Sequence, residues 1–167
     1  MVREFTSDLA EEWNRYVLSS PSGSFCHLIG WKNVIEKTFG HRSFYACAQR
    51  EGKICGILPL FLVKSFLFGS FLVSTPFAAY GGICADDIET EALLLAYAKE
   101  IASARNVDYV ELRNIEAKYP ELPKSELYVT FLRELHCEDE EKNWKLLPRE
   151  TRRLIRKAKQ IGLTAVV

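Results

Sequence analysis

The sequence carries no net charge. Its 22 lysines and arginines are matched by 22 aspartates and glutamates, so overall charge balance points to no polyanionic partner. It also lacks a C-x-x-C pair. The five cysteines, at 26, 47, 55, 84 and 137, are odd in number and scattered. Cys47, Cys55 and Cys84 sit in apolar runs, where a free thiol behaves as a small hydrophobe. That usage reads as a reducing compartment, hence the cytoplasm. There is no H-E-x-x-H, no G-x-S-x-G, no Walker loop and no clustered Cys/His spacing, so no metal site and none of those hydrolase or nucleotidase chemistries is expected. His27 and His136 each adjoin a cysteine, but neighbours on a strand point to opposite faces, and a Cys–His catalytic pair is not expected from them. Charge is missing between residues 65 and 85, a length that can span a bilayer. Gly69, Pro76, Gly81 and Gly82 break that stretch into short, β-branched and aromatic runs, which fit buried strands rather than a transmembrane segment. The opening residues lead into a polar helix pattern and give no expectation of a secretory signal.

What is present suits a soluble globular domain with a core: 48% of the residues are hydrophobic and 26% charged. Residues 8–18 predict a helix with Leu9, Trp13, Tyr16 and Val17 on one face, and Asp8 and Glu11 at capping-box spacing. Residues 28–38 predict a second helix, stopped by Gly40. The period then changes to two. Residues 44–49 and 54–63 predict an antiparallel hairpin about a turn at 50–53, followed by a strand at 66–72 and a glycine-containing loop at 76–87. An Ala/Leu-rich helix is expected over 89–105 with Asn106 as C-cap, then strands at 107–112 and 128–132, and helices at 138–147 and 149–161 ended by Gly162. The expected architecture is a mixed sheet with the hairpin at its heart and the 89–105 helix packed on it. Residues 163–167 begin as a strand, either a terminal edge strand or the start of a further architecture.

Two constellations stand out. In the helix over 149–161, Arg149, Arg152, Arg153 and Arg156 recur at i, i+3, i+4 and i+7, which places four guanidinium groups on one face opposite Leu154, Ile155, Ala158 and Ile161. Arginine suits bidentate contacts to phosphate or carboxylate, so this face would hold a nucleotide diphosphate, a tRNA backbone or an anionic lipid head group. It is equally read as a solvated basic face offset by the acidic run Glu138-Asp139-Glu140-Glu141. The second constellation runs from Thr75 to Asp86. Gly81 and Gly82 permit unusual backbone angles or close ligand approach, and Tyr80 and Asp86 supply a donor and a carboxylate suited to general-base work. The plainer reading is a strand-to-helix connection in which Asp86 or Asp87 caps the next helix. Gln49-Arg-Glu-Gly-Lys-Ile only superficially matches an acyl-CoA pyrophosphate loop. It lacks the last small residue and lies between strands rather than before a helix N-terminus, so no cofactor is expected to be bound by this chain.

Several stretches together resemble the FemAB family of peptidoglycan-bridge aminoacyltransferases, in particular its exosortase- and exopolysaccharide-associated members. They are Gly-Ser-Phe at 23–25 with Trp31; Gly-His-Arg-Ser-Phe-Tyr at 40–45; Gly-Lys-Ile-Cys-Gly-Ile-Leu-Pro-Leu at 52–60 with Lys64; and Phe-Gly-Ser-Phe-Leu-Val-Ser-Thr-Pro at 68–76. Tyr-Gly-Gly-Ile-Cys-Ala-Asp at 80–86, Asp-Tyr-Val-Glu-Leu-Arg at 108–113, and Arg-Arg-Leu-Ile-Arg-Lys-Ala at 152–158 with Gly162 and Leu163 complete the set. Their order and spacing cover nearly the whole chain. The resemblance implies an α/β (α+β) fold of the GNAT-like acyl-CoA N-acyltransferase type, a mixed, mainly antiparallel sheet flanked by helices. It implies two tandem GNAT-like domains, of which residues 1–147 would be the first, on the acceptor side, and 148–167 a basic linking helix and the start of the second. It further implies transfer of an aminoacyl or acyl group, from aminoacyl-tRNA or acyl-CoA, to an amine on a cell-envelope or exopolysaccharide precursor, at the cytoplasmic side of the inner membrane. By position, Trp31 with Lys32 and Lys37 falls in the acceptor-binding region, Tyr80 and Asp86 lie in the loop beside the transfer site, and the basic helix offers a tRNA contact. The donor side would come from the second domain in cis, so the chain alone is expected to be inactive. The alternative is a non-catalytic module that grips RNA or anionic lipid through the basic helix.

Overall fold

The computed structural model describes residues 1–67, 69–116, 118–125, 131 and 133–164. The chain forms two compact units, residues 1–125 and 126–167. The boundary read from the sequence, after Leu147, assigns the helix before it to the first unit. In the structure that helix clusters with the basic helix instead.

The first unit opens with β1 (Val2–Glu4) and α1 (Ala10–Ser19). A 3-10 turn at Ser7–Leu9 leads into α1 and puts Asp8 inside the turn, with no side-chain cap there, so the expected capping box does not form. Trp13 and Val17 are buried with Leu9 and half-buried Tyr16 on the predicted face. α2 (Ile29–Phe39) ends at Gly40, whose φ of 69° is the left-handed cap that glycine adopts without strain. β2 (Arg42–Ser43) runs into β3 (Ala46–Arg50), and β4 (Lys53–Leu58) into β5 (Phe61–Ser65). These are the two arms of the predicted hairpin, each interrupted once. Pro59 lacks a donor and splits the second arm, while Phe44 N–H bridges the gap to Leu60 O at 2.7 Å.

β6 (Gly69–Val73) pairs antiparallel with β5, and β7 (Cys84–Ala85) antiparallel with β4. β7 falls inside the stretch expected to be all loop. α3 (Ile88–Arg105) crosses over to β8 (Tyr109–Glu111), which pairs parallel with β6. The strands form two four-stranded sheets rather than the single sheet expected: β2-β5-β6-β8, in which only β6 and β8 run parallel, and β1-β3-β4-β7, wholly antiparallel, which holds the turn of the predicted hairpin. Side chains alternate across it. Tyr45 and Cys47 join Trp13, Ile35 and Ile57 on the face covered by α1 and α2, and Phe44, Ala46 and Ala48 join Leu58, Leu94 and Ala98 on the face covered by α3. Cys55 breaks the alternation. Ala48 pairs with Gly56 and Gln49 with Ile54, leaving Cys55 as the extra residue of a β-bulge. Gly56 follows it because α3 passes so close that a Cβ would lie 2.6 Å from the Thr90 methyl.

The second unit contains α4 (Glu140–Leu146) and α5 (Arg149–Gln160). Asp139 caps α4 by accepting from Lys142 N–H, and Asn143 exchanges hydrogen bonds with the His136 backbone. Of the strand expected at 128–132 only Phe131 is described, and of the one at 163–167 only Leu163 and Thr164; none of the three is in a strand, and the rest lie outside the described residues. No described helix is long and apolar enough to cross a membrane.

Candidate functional site

Between β6, an inner strand of one sheet, and β7, the edge strand of the other, the chain makes an excursion. Val73 pairs with Phe61 and Cys84 with Ile57, so residues 74–83 stand opposite only the three residues around the Pro59 break. This is the segment containing Tyr80, Gly81 and Gly82, and Asp86 follows it. Segments distant in sequence hold it. The Arg113 guanidinium donates to Thr75 O at 3.2 Å and Ala78 O at 2.7 Å while paired with Glu111 at 2.7 Å. Gly81 N–H and Gly82 N–H both donate to Arg113 O at 3.0 Å, and Asn114 Oδ1 accepts from Ile83 N–H. Neither glycine has a positive φ. A Cβ on Gly81 would overlap the Thr75 side chain, and one on Gly82 the Asn114 side chain. Both are thus required by close packing, and both amides are already engaged, so an oxyanion would need other donors.

His27 closes the other side. Its Nδ1 accepts from Ser24 N–H at 3.1 Å, which leaves the proton on Nε2, 3.0 Å from Gly82 O. The ring is 2% exposed, and burial holds its pKa below the usual 6.5, so the neutral tautomer that donates to Gly82 is the stable one. Trp13 Nε1 in turn donates to His27 O at 2.7 Å. Cys84 Sγ lies 3.0 Å from Ser20 Oγ and 3.1 Å from Ser22 Oγ.

Asp86 is exposed at the end of β7. Its N–H donates to the carbonyl of the bulge residue Cys55, and its Oδ1 lies 2.8 Å from the Tyr16 hydroxyl, itself 3.1 Å from Cys55 O. Burial, then the neighbouring Cys84 and Asp86, push the Tyr16 phenol far above its usual range, so it stays protonated and acts as a donor to the carboxylate. The cap of α3 is Asp87, which accepts from Thr90 N–H at 2.7 Å and pairs with Arg50 at 2.9 Å. This division of labour leaves the Asp86 carboxylate, with one oxygen held by Tyr16, facing solvent. Tyr80 is half-buried. Its carbonyl accepts from Thr75 Oγ1, and its phenol has no hydrogen-bond partner among the described residues.

α2 runs alongside the excursion, with His27 before its start on Gly82 and Phe39 at its end stacked on Phe77 at 4.2 Å. Trp31 lies between, half-buried, edge-on to Phe25 at 5.5 Å, its buried Nε1 unpartnered. Lys32 is bound to Glu36 at 2.7 Å, so its charge is already neutralised, whereas Lys37 is exposed.

The arginines of α5 divide. Arg149 is exposed, Arg153 pairs with Glu150 at 2.8 Å, Arg156 lies over the Trp144 ring at 5.5 Å, and Arg152 is half-buried with Nε unpartnered. The inward side is Thr151, Arg152, Ile155 and Ala158, while Leu154 and Ile161 are 59% and 67% exposed. The expected split into an arginine face and a docked apolar face is therefore corrected. Arg152 stands three residues before Ile155 and shares its side of the helix. No group of three or more metal-binding side chains occurs among the described residues.

The sheets, the α3 crossover and the helix pairing are those of a GNAT-type acyltransferase fold. No protein-family model matches the chain, and no curated protein matches it in sequence. Solved structures do. FemX matches at 24% identity and TM-score 0.53 over 64% of this chain and 25% of its own, so the chain spans a quarter of FemX. A GNAT family acetyltransferase of Staphylococcus aureus matches at 14% identity and TM-score 0.53, over 79% of this chain and 98% of its own. A ribosomal-protein-alanine N-acetyltransferase of Brucella melitensis matches at 11% and 0.51, over 80% and 99%. At these identities the likeness is one of fold.

Proposed function

We propose that the chain is the acceptor-side part of a FemAB-like N-acyltransferase, which moves an aminoacyl or acyl group onto an amine of a cell-envelope or exopolysaccharide precursor. The observation that carries this reading is Asp86: a solvent-facing carboxylate beside a pinned excursion, with a protonated Tyr16 on one oxygen. An amine must lose a proton as it attacks an activated carbonyl. Asp86 would accept it or hold the ammonium form in place, and Tyr16 would fix the carboxylate's orientation. Tyr80, with its unengaged phenol, and Trp31, with its unpartnered Nε1, would bind the acceptor, and Lys37 would attract an anionic one. The GNAT-type fold and the presence of FemX among the similar structures support the class of reaction. Aminoacyl-tRNA or acyl-CoA would be the donor, held by a second GNAT-like domain.

The test is a transfer assay with charged tRNA or acyl-CoA and a lysine-bearing muropeptide. The chain alone should give no turnover. Joined to a second GNAT-like domain, it should turn over, and Asp86→Asn should lower kcat by about 10²–10⁴, the usual share of a general base. Turnover by the chain alone that Asp86→Ala abolishes would overturn the two-part reading. Full activity of Asp86→Asn would overturn the role of Asp86.

A further inference from the structure

The turn between β5 and β6 takes no part in this chemistry. Residues 65–85 carry no charge, yet the turn near their start is not buried. Phe66 is 104% exposed, the most of any large hydrophobic side chain among the described residues, and Leu67 beside it is 80% exposed. Both side chains gain strongly from leaving water, and adjoining exposed apolar groups mark a contact surface more than scattered single ones do. The turn is held out by its base. Five residue pairs, from Phe61 with Val73 to Ser65 with Gly69, join its two strands. Asp108 N–H donates to Ser70 O at 2.7 Å, and the Asp108 carboxylate accepts from Ser70 N–H at 2.8 Å. Phe71 stacks on Tyr109 of the next strand at 4.9 Å.

Behind the turn lies a basic collar. Lys64 shares a concavity with Arg42 and Arg105, and no carboxylate lines it. All three cations are exposed. The chain as a whole balances 22 cations against 22 anions, so this end of the unit holds a local positive excess, of which Asp108 at the base of the turn offsets one charge. An apolar tip and a basic collar are the two signals that a peripheral bilayer contact combines. The dimensions agree. At about 3.4 Å per residue, Lys64 stands about 7 Å behind Phe66, which is level with the lipid head groups when a tip enters the acyl boundary by about 5–10 Å. A purely apolar pocket on a protein partner would take the tip and leave the collar unmatched. A second copy meeting the turn symmetrically would set the same cations against one another.

We propose that the β5–β6 turn inserts Phe66 and Leu67 into the surface of an anionic lipid bilayer, with Lys64, Arg42 and Arg105 on the lipid head groups. The long stems of these cations let their charges reach the head groups while their backbones stay above them. Two apolar side chains and three cations make a reversible contact, not a permanent anchor. The surface needs nothing from Asp86, so it stands or falls separately from the acyl-transfer reading.

Co-sedimentation of the chain with phosphatidylcholine vesicles holding about 30% phosphatidylglycerol tests it. The chain should bind, more weakly as salt rises, and far more weakly to vesicles of phosphatidylcholine alone. Phe66→Ser with Leu67→Ser should lower partitioning about a hundredfold, the scale of two apolar side chains kept from the bilayer. Thermal unfolding should not change, since both side chains are already in water in the free chain. Lys64→Gln should lower partitioning about fivefold, the scale of one cation at an anionic surface. In Phe66→Trp, the added indole emission, read as the difference from the unaltered chain, should shift to the blue on vesicles and be quenched by lipids brominated on their acyl chains. If the double serine variant does not fold, that emission decides. No binding to the anionic vesicles would overturn the surface, as would binding that survives the double serine variant or is lost instead in Arg152→Gln with Arg156→Gln. Binding with no shift of the added indole would overturn insertion. A solution mass that falls on the double serine change would overturn the bilayer in favour of a contact between copies of this chain.

Discussion

Residues 74–83 and helix α5 hold their functional groups in different ways. The excursion is tied by Arg113 and Asn114 from beyond β8, by His27 from before α2, and by its own Thr75. Nearly all of its bonds cross tens of residues of sequence. The polar contacts of α5 are short-range, Arg153 to Glu150 within the helix and Arg156 to Trp144 twelve residues away. A group placed by many long-range bonds has one position, and its neighbours determine its chemistry. A group placed by helix geometry alone has a direction, and what it meets depends on how the helix docks. The excursion is thus suited to a reaction that needs atoms aligned, and α5 to contacts that tolerate play.

That contrast can be broken in order of effect. Trp13 is fully buried, stacks on Tyr45 at 5.2 Å and donates to the His27 carbonyl. Trp13→Ala should cost about 3–5 kcal/mol in urea unfolding and free the His27 clamp with it. Gly82→Val should cost roughly 1–3 kcal/mol as an overpacked site, since its Cβ would overlap Asn114. It should also raise amide exchange across residues 80–86. Arg153→Gln on α5 should change stability by no more than about 0.5 kcal/mol, as expected of an exposed pair. Should Gly82→Val prove as mild as Arg153→Gln, the distinction between the two regions is void.

Acidity sharpens the same contrast. His27 has a folded pKa below 6.5, so below pH 6.5 the unfolded chain binds the proton that the folded chain refuses. Stability should therefore be complete above pH 6.5 and decline as pH falls from there through the lower folded value. The depressed carboxylates Glu36 and Asp87 act in the same direction only below their ordinary values of 4.5 and 3.8. Between pH 6.5 and 5 the slope belongs to His27, and His27→Gln should flatten it in unfolding titrations. A slope that survives the substitution would remove His27 from the clamp.

The sequence was legible where the determinants are local. The period-two hairpin, the α1 face of Leu9, Trp13 and Val17, the Gly40 and Asn106 caps and the Ala/Leu helix all follow from residues within a few positions of one another. The break at Pro59 is visible as a residue but not as the point where the chain passes from one sheet to the other, because that depends on pairing with Phe61 and Ile57. Of the candidate site, Tyr80 and Asp86 are legible as residue types in a glycine-bearing loop, while the sequence leaves the cap open between Asp86 and Asp87 and the structure gives it to Asp87. Tyr16 reads as part of a helix face, since its bond to Asp86 crosses seventy residues. His27 reads only as the neighbour of Cys26, and Arg113 gives no local signal of a role.

If residues 80–86 form the acceptor side of an acyl-transfer site, an amine-bearing acceptor must touch them. Backbone amide shifts of the chain titrated with a lysine-bearing muropeptide test it most directly. Perturbations are expected at Tyr80, Asp86 and the Trp31 indole N–H, strongly reduced in Asp86→Ala. Perturbations confined to α5, or none at all at millimolar ligand, would contradict it.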